Sequence, residues 1–142
     1  MSTGYLIDTS AWMRLEEEAL PAERVEELAA AIAASEVWAS IILRLEVGYT
    51  ARNAAQHAVD QQRLDGLPQA TVDAASLERA VELQSQLAKV GHHRVPPADL
   101  VTVAIAERHG LAVLHYDKDY DVIADRTDCA VASEWLAPRG SV

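Results

Sequence analysis

The stretch that decides the fold is residues 96–120, which reads PPADLVTVAIAERHGLAVLHYDKDY. Its two prolines preset the backbone for a helix start, and Gly110 is the residue type favoured just past a helix end. The helix between them is too apolar for a surface position, so we expect it to be buried. A short apolar strand follows at residues 111–114. One acid, Asp99, therefore opens the helix, and a second, Asp117, follows the strand.

The charge balance of the chain restricts how it can bind other molecules. Its 142 residues include 22 acidic and 12 basic side chains, so the net charge is −10. This charge argues against bulk electrostatic binding of nucleic acid, because such affinity grows with the number of basic contacts. An enzyme that meets nucleic acid through a bound metal and a local basic strip stays compatible with the composition. With 50% hydrophobic and 24% charged residues, the chain is predicted to form one globular domain.

Three features of the sequence predict a cytoplasmic protein with no membrane partner. Cys129 is the single cysteine, so no intrachain disulfide forms, which fits a reducing compartment. The first residues lack the basic and apolar regions of a signal peptide. No run approaches the roughly 18 apolar residues that a membrane-spanning helix needs.

Short apolar segments alternate with helical patterns along the chain, which predicts an α/β fold. We expect a continuous helix over residues 43–64, with Gly48 inside it at a close packing contact. The predicted strands are residues 4–7, 37–42, 69–72, 111–114 and 129–132. Together these elements predict a sandwich with a mainly parallel central sheet of about five strands, flanked by helices.

Four acids are expected to meet at one edge of this sheet. Asp8 ends the first strand, and Glu46 lies in the first turn of the helix after the second strand. Asp99 and Asp117 hold the positions described above. Parallel strands all end at one edge and their connecting helices begin there, so the four carboxylates should converge where open α/β sheets bind ligands.

Each acid taken alone also has a purely structural explanation. A helix dipole stabilises acids near its N-terminus by about 0.3–1 kcal/mol each, which accounts for Glu46 or Asp99. Asp8 can cap the helix that follows it, and Asp117 can be a turn residue. The set of four is harder to explain, because like charges about 4 Å apart repel by about 4 kcal/mol at an effective dielectric of 20. Either some of these acids are protonated, or a hard cation lies among them.

A ligand set made only of carboxylate oxygens favours Mg²⁺, with Mn²⁺ as the alternative. The chemistry that such a site supports is phosphodiester hydrolysis. Metal ions there activate water, neutralise the scissile phosphate and stabilise the leaving oxygen. One of the four acids could instead orient the attacking water as a general base.

Four short motifs occur in the order and spacing typical of one known family. They are YLIDTS at residues 5–10, EVGY at 46–49, PADL at 97–100 with AIA at 104–106 and Gly110, and LHYDKDY at 114–120. This ordered set resembles the PIN-domain ribonucleases, and most closely the VapC-type toxins of bacterial toxin–antitoxin pairs. The resemblance covers nearly the whole chain, so residues 1–142 are predicted to form a single PIN domain, a three-layer α/β sandwich.

The resemblance also implies an activity and the residues that perform it. The activity is that of a metal-dependent endoribonuclease, acting as the toxin of a toxin–antitoxin pair. Its catalytic and metal-binding residues would be Asp8, Glu46, Asp99 and Asp117. Its supporting residues would be Thr9, Ser10, His115 and Asp119. The resemblance further implies an RNA substrate, a homodimer and inhibition by a cognate antitoxin whose peptide enters the acidic groove.

The last motif departs from the family pattern at one position. Thr or Ser usually stands two residues before the fourth acid, and here that residue is His115. An imidazole can still bind a carboxylate or a phosphate, although we favour a strand-end side chain with a local partner. Asp119 and Asp121 could each share the role assigned to Asp117.

Basic residues near the predicted site are candidates to bind RNA. Arg14 follows the first strand, Arg44 precedes the second acid, and Lys118 lies between two acids. The segment His-His-Arg at residues 92–94 is better explained as a loop that samples RNA than as a metal site. Adjacent histidines on a loop rarely bind one ion together.

Two other functions fit the same residues. One is a PIN-fold nuclease that processes RNA outside any toxin–antitoxin pair, since only chain size and family likeness favour the toxin. The other is a catalytically silent module whose acidic groove docks a basic partner segment. The net charge of −10 and the presence of His115 are compatible with that second function.

Overall fold

A parallel sheet of five strands forms the centre of the structure, a computed structural model that describes residues 4–142. The strands are β1 (Tyr5–Ile7), β2 (Val37–Ser40), β3 (Gln69–Ala70), β4 (Ala112–His115) and β5 (Ser133–Trp135). Their order across the sheet is β3-β2-β1-β4-β5, and every neighbouring pair is parallel. The chain moves outward from β1 to β3 and then returns to β4 on the other side of β1. The strand order therefore reverses between β1 and β4, the place where such sheets bind ligands.

Helices cover both faces of the sheet, which confirms the predicted three-layer α/β sandwich. They are α1 (Thr9–Trp12), α2 (Ala22–Ala33), α3 (Ile41–Tyr49), α4 (Ala54–Asp65), α5 (Ala74–Lys89), α6 (Pro97–His109) and α7 (Asp119–Arg126). Successive strand residues point to opposite faces. Leu6 and Val113 pack in the core under α5, α6 and α7, whereas Ile7 and Leu114 pack in the core under α1 to α4. Within residues 4–142, no helix is both long and apolar enough to cross a membrane.

Helix α6 is the buried helix that its sequence predicts. Residues 102–106 and Leu100 are almost completely shielded from solvent. The helix starts directly after Pro96 and ends at Gly110, whose φ of 67° is the left-handed conformation that glycine adopts without strain. Asp99 is consequently held in the first turn of a helix that cannot move without disturbing both the sheet and the core.

The predicted continuous helix over residues 43–64 is wrong, because the chain breaks between α3 and α4. The Asn53 side chain accepts a hydrogen bond from the Gln56 amide at 2.8 Å and so starts a new helix. The close contact expected at Gly48 is present, since a Cβ there would lie 3.0 Å from His57 Nε2 on α4. The missing side chain lets α4 fold back against α3.

The strand boundaries also differ from the prediction, most of all in β2, β3 and β5, and β3 ends at Ala70 rather than at residue 72. Strand β2 ends at Ser40 rather than at residue 42, because the Ser40 hydroxyl accepts from the Leu43 amide at 3.2 Å and caps α3. The last strand is Ser133–Trp135 rather than residues 129–132. Arg24 on α2 fixes β5 by binding the Glu134 carboxylate at 2.7 Å and the Leu136 carbonyl at 2.8 Å. This contact joins residues more than 100 positions apart, so no local pattern could reveal it.

Candidate metal centre

The four predicted acids all lie at the carboxyl edge of the sheet, around the reversal of strand order. Asp8 directly follows β1, Asp117 follows β4 by two residues, and Asp99 lies in the first turn of α6. Glu46 lies one turn further into its helix than predicted, because α3 begins at Ile41. The helix dipole at the start of α3 therefore does not explain the presence of Glu46.

Three acids form a compact group of potential ligands. One carboxylate oxygen from each of Asp99, Asp117 and Asp119 lies within 4.8 Å of the other two. The Asp119 amide donates to Asp117 Oδ1 at 2.9 Å, which holds the two neighbouring acids in a fixed turn. Asp121 does not join this group, since its carboxylate accepts from Trp135 Nε1 at 3.2 and 3.3 Å. Of the two substitutes considered for Asp117, the fold brings Asp119 to the group and ties Asp121 to β5.

Asp8 is connected to this group through Tyr120. The Asp8 carboxylate is 6% exposed and both of its oxygens accept hydrogen bonds. Oδ2 accepts from the amide and hydroxyl of Ser10 at 3.0 and 2.5 Å, so Asp8 also caps α1. Oδ1 accepts from the Tyr120 hydroxyl at 2.6 Å, and the same hydroxyl lies 3.3 Å from Asp99 Oδ1.

Glu46 stands slightly apart from the other acids. It is not part of the group defined by Asp99, Asp117 and Asp119, and Thr9 holds it by donating from Oγ1 to Glu46 Oε1 at 2.7 Å. Thr9 directly follows Asp8, so the first motif of the chain orients two acids on two different elements. The supporting roles predicted for Thr9 and Ser10 thus have a geometric basis.

The electrostatics of the group favour a bound cation. Burial, together with the charges of Asp8, Asp117 and Asp119, raises the pKa of Asp99 to about 7. Burial and then the charge of Asp117 also raise the pKa of Asp119. Asp99 Oδ2 is buried and has no hydrogen-bond partner among residues 4–142. A hard divalent cation bound by these carboxylates would neutralise the repulsion and satisfy the orphaned oxygen, so the donor set suits such an ion.

His115 lies beneath the acids rather than among them. It is the last residue of β4, is completely buried, and packs between the rings of Tyr120 and Trp135 at centroid distances of 4.8 and 5.0 Å. Its Nδ1 accepts from the Asp117 amide at 3.2 Å, which assigns the proton of a neutral ring to Nε2. Burial lowers the pKa of His115 and favours that neutral form. The residue is therefore the strand-end side chain with a local partner that the sequence favours.

The candidate RNA-binding residues differ in how free they are to meet a substrate. Arg14 donates to the Ser10 carbonyl at 2.8 Å and stacks 4.6 Å above the Tyr116 ring, beside the acids. Arg44 is engaged elsewhere, since its guanidinium pairs with Asp65 at 2.6 Å. Lys118 takes the N-cap position of α7, directly between the last two acids of the group. These three assignments stay predictions.

The basic loop at residues 92–94 lies close to the acid group. Residues 92–94 and Asp119 line the same cavity of about 250 Å³. Arg94 is exposed, and no ion pair involves it in the part of the chain that the structure describes. A cation without an acidic partner therefore borders the predicted site.

The sequence predictions assigned no role to Tyr120, although it belongs to the last motif. Its hydroxyl contacts Asp8 and Asp99, which are 112 and 21 positions away along the chain. A weak signal existed, because α7 places Tyr120 beside buried Ile123 and a buried tyrosine usually hydrogen-bonds its hydroxyl. The identity of the partners depends on the tertiary fold alone.

Known proteins share both the sequence pattern and the fold. The family model of the PIN domain matches residues 5–126. Ribonuclease VapC18 of Mycobacterium tuberculosis is 38% identical over 141 residues, covering 97% of this chain and 98% of that relative. Ribonuclease VapC51 of the same organism is 36% identical over 142 residues, covering 100% and 99%. In fold, the chain is similar to a protein in the crystal structure of DNA-bound VapBC from Salmonella typhimurium, with a TM-score of 0.74 at 18% identity over 96% of this chain and 100% of that one.

The parallel sheet and the acids at its edge define an α/β domain suited to hold a divalent cation. The chain belongs to the PIN-domain family, and its relatives over the full length are VapC ribonucleases. This confirms the family predicted from the four motifs. That residues 1–142 form a single PIN domain stays a prediction, since the family model spans residues 5–126 and residues 1–3 lie outside the described part of the chain.

Proposed function

We propose that this protein is a Mg²⁺-dependent endoribonuclease, with Mn²⁺ as a substitute ion, that acts as the toxin of a toxin–antitoxin pair. Its full-length similarity to VapC ribonucleases confirms the enzyme class and the toxin type predicted from the sequence. The ion, the residues that bind it and the partner proteins are parts of the proposal. So are a cytoplasmic location and a single PIN domain over residues 1–142.

The observation that carries the metal-dependent activity is the orphaned oxygen of Asp99 in a group of acids. Asp99 Oδ2 is buried without a hydrogen-bond partner in the range 4–142, and carboxylate oxygens of Asp117 and Asp119 lie within 4.8 Å of an Asp99 oxygen. No basic side chain neutralises this group by a direct ion pair among the described residues. Such a cluster of unpaired acids does not stabilise the fold. The same carboxylate oxygens form a site that can bind a hard divalent cation.

The chemistry divides between the ion and the residues around it. When bound, the ion supplies charge neutralisation of the scissile phosphate and a lowered pKa for the attacking water. We assign Asp8, Asp99 and Asp117 to holding it, with Asp119 beside them. Glu46 is assigned to orienting the attacking water, because it lies outside the group of three acids and Thr9 binds only its Oε1.

The RNA is proposed to pass over the acids between two cationic residues. Arg14 lies on the side of Tyr116, and Arg94 lies on the side of Asp119. Single-stranded RNA has one charge per nucleotide, so cations on both sides would hold the phosphates that flank the scissile bond. The whole protein has a net charge of −10 and repels RNA, so Arg14 and Arg94 supply the local attraction for the phosphates.

The protein partners are proposed to cover exposed apolar side chains. Ile41, Leu45 and Tyr49 recur every four residues on α3 and are 43%, 63% and 92% exposed. An apolar stripe of this kind is typical of a protein interface. We propose a homodimer and a cognate antitoxin as the partners, since solved relatives in fold are VapBC complexes.

Cleavage assays with purified protein test the metal-dependent function. The parent should cut single-stranded RNA with Mg²⁺ or Mn²⁺, stop when EDTA is added, and resume when Mg²⁺ is restored in excess. Expression in a bacterial host should inhibit growth, and co-expression of a cognate antitoxin, sought among small proteins encoded beside the gene, should relieve the inhibition. Cleavage that continues in EDTA, or no cleavage with any divalent ion, would contradict the proposal.

The substrate path has its own test in Arg94→Ala. This variant should raise KM for RNA several-fold and lower the slope of log KM against log salt concentration by about 0.7, the value for one lost phosphate contact on a single strand. Arg108→Ala is the matched control, because Arg108 pairs with Asp73 near the C-terminal end of α6, far from Asp99. Equal salt slopes in the two variants would remove Arg94 from the path.

A further inference from the structure

A buried tyrosine hydroxyl lies between two acids that come from different parts of the fold. Tyr120 on α7 is 1% exposed. Its hydroxyl donates to Asp8 Oδ1 at 2.6 Å and lies 3.3 Å from Asp99 Oδ1. Asp8 is fixed at the end of β1 and Asp99 in the first turn of α6. The phenol oxygen thus joins the strand side of the acid group to its helix side.

We propose that Tyr120 is a positioning residue, which sets the separation of the Asp8 and Asp99 carboxylates and prepares them to share a divalent cation. The inference rests on the proposed function in one respect, namely that these acids hold the ion. A phenol carries one hydrogen, so the short contact to Asp8 takes it, and the contact to Asp99 is the weaker one. Asp99 Oδ2 then stays without a protein partner among residues 4–142 and is available to the ion.

The ring of Tyr120 cannot easily turn away from this position. His115 packs against it with ring centroids 4.8 Å apart, and Trp135 packs against the other side of His115 at 5.0 Å. His115 Nδ1 also accepts from the Asp117 amide at 3.2 Å. The stacked rings of Tyr120 and His115 therefore contact three of the acidic residues. Tyr120 contacts Asp8 and Asp99, and His115 accepts from the Asp117 amide. This is the structural use of the histidine that stands where the family usually has Thr or Ser.

Loss of the hydroxyl alone should weaken the site without removing any ligand. In a Tyr120→Phe variant the ring still fills its place in the core, but Asp8 Oδ1 loses its donor and the two carboxylates repel each other without a group between them. The ion must then gather carboxylates that the free protein no longer holds together. Changes to groups that orient metal ligands typically cost 10–100-fold in metal affinity.

The test compares Mn²⁺ binding by the parent protein and two variants. Binding is measured from the electron paramagnetic resonance signal of the free ion. Tyr120→Phe should bind Mn²⁺ at least about tenfold more weakly than the parent. Tyr116→Phe is the matched control, because its hydroxyl contacts the Val142 amide and the Pro138 carbonyl instead of the acids. That variant should bind Mn²⁺ like the parent. In RNA cleavage, Tyr120→Phe should need more Mg²⁺ for half-maximal rate, with KM for RNA unchanged at saturating Mg²⁺.

The outcomes separate this inference from the function on which it rests. If Tyr120→Phe is folded and binds Mn²⁺ as tightly as the parent, the positioning role is overturned. If the parent itself binds no Mn²⁺, the metal-dependent function fails and the positioning role fails with it. If Tyr120→Phe does not fold, NMR spectra of the parent labelled with ¹³C-tyrosine provide the second test. Addition of Mg²⁺ should shift the ring resonance of Tyr120 more than that of Tyr116. Equal shifts, or none, would overturn the role.

Discussion

Two groups of acids in this protein are built in opposite ways. At the far end of the α6 helix, Arg79 binds Glu107 at 2.8 Å, Asp128 at 2.8 Å and Glu82 at 2.8 Å. The Arg79 contact lowers the pKa of Glu107, and hydrogen bonds from Gln86 and then Arg79 lower the pKa of Asp128. At the near end, Asp99, Asp117 and Asp119 gather without such a cation, and the pKa of Asp99 rises to about 7. The first group contains its own counter-charge and holds helices together, whereas the second needs a counter-charge from outside the chain.

The largest expected difference between the groups lies in catalysis. Asp99→Asn should reduce Mg²⁺-dependent RNA cleavage by about 100-fold or more, because an amide is a poorer ligand and the buried orphaned oxygen is lost. Asp128→Asn makes the same chemical change in the Arg79 group and should cut RNA at the parent rate. Single-turnover assays on folded protein measure both. Equal effects of the two substitutions would show that the distinction between the groups is wrong.

The pH dependence of stability should have opposite signs for the two groups. In metal-free protein, the folded-state pKa of Asp99 is about 7 against an ordinary 3.8, so the folded state keeps a proton that the unfolded state has released between these values. The contribution of Asp99 to the free energy of unfolding should therefore fall by about 3 kcal/mol as pH rises from about 4 to 7. The pKa of Glu107 is instead lowered from 4.5, so its contribution is present above that pH and is lost as the solution becomes more acidic.

Urea unfolding at a series of pH values measures this contrast. The decline from about pH 4 to 7 should disappear in Asp99→Asn and persist in Asp128→Asn. Saturating Mg²⁺ should also offset the decline, because a ligand that binds only the folded state stabilises it. If the free energy of unfolding of the parent in EDTA is no lower, relative to Asp99→Asn, at pH 7 than at pH 4, the ionised Asp99 carboxylate does not destabilise the metal-free protein.

The smallest effect should come from removing Arg79, the positive charge within the first group of acids. Arg79→Ala should lower the free energy of unfolding by about 1–2 kcal/mol, since a guanidinium with 20% side-chain exposure loses several charge-assisted hydrogen bonds. Cleavage per folded molecule should not change. Arg63→Ala serves as the control, because the pair that Arg63 makes with Glu16 is largely exposed, and its loss should change stability less. An equal loss of stability in both variants would mean that the Arg79 group is an ordinary surface network.

Much of the fold could be predicted because local chemistry governs it. The buried character of α6, its proline start and its glycine end all follow from residues next to one another. The break at Asn53 and the position of β5 could not be predicted in the same way. An asparagine such as Asn53 can lie within a longer helix or cap the start of a new one, and the local sequence does not decide between the two. The position of β5 depends on Arg24, which is distant in the chain.

The candidate site divides along the same line. The acids at residues 8, 99 and 117 could be named from the sequence, because topology alone brings strand ends and helix starts to one edge of a parallel sheet. Their assignment as metal ligands stays a prediction that the experiments above address. The choice between Asp119 and Asp121 needed the tertiary structure, since one faces the acids and the other binds Trp135.

The sequence by itself therefore determined the alternation of strands and helices, the buried helix α6, and the edge of the sheet at which the acids collect. These properties depend on periodicity, caps and chain direction, and each can be read within one or two elements. Only the tertiary structure decided that Tyr120 lies between Asp8 and Asp99 and that His115 supports Asp117 from below. Side-chain contacts between elements depend on how the layers pack, and packing is a property of the whole chain.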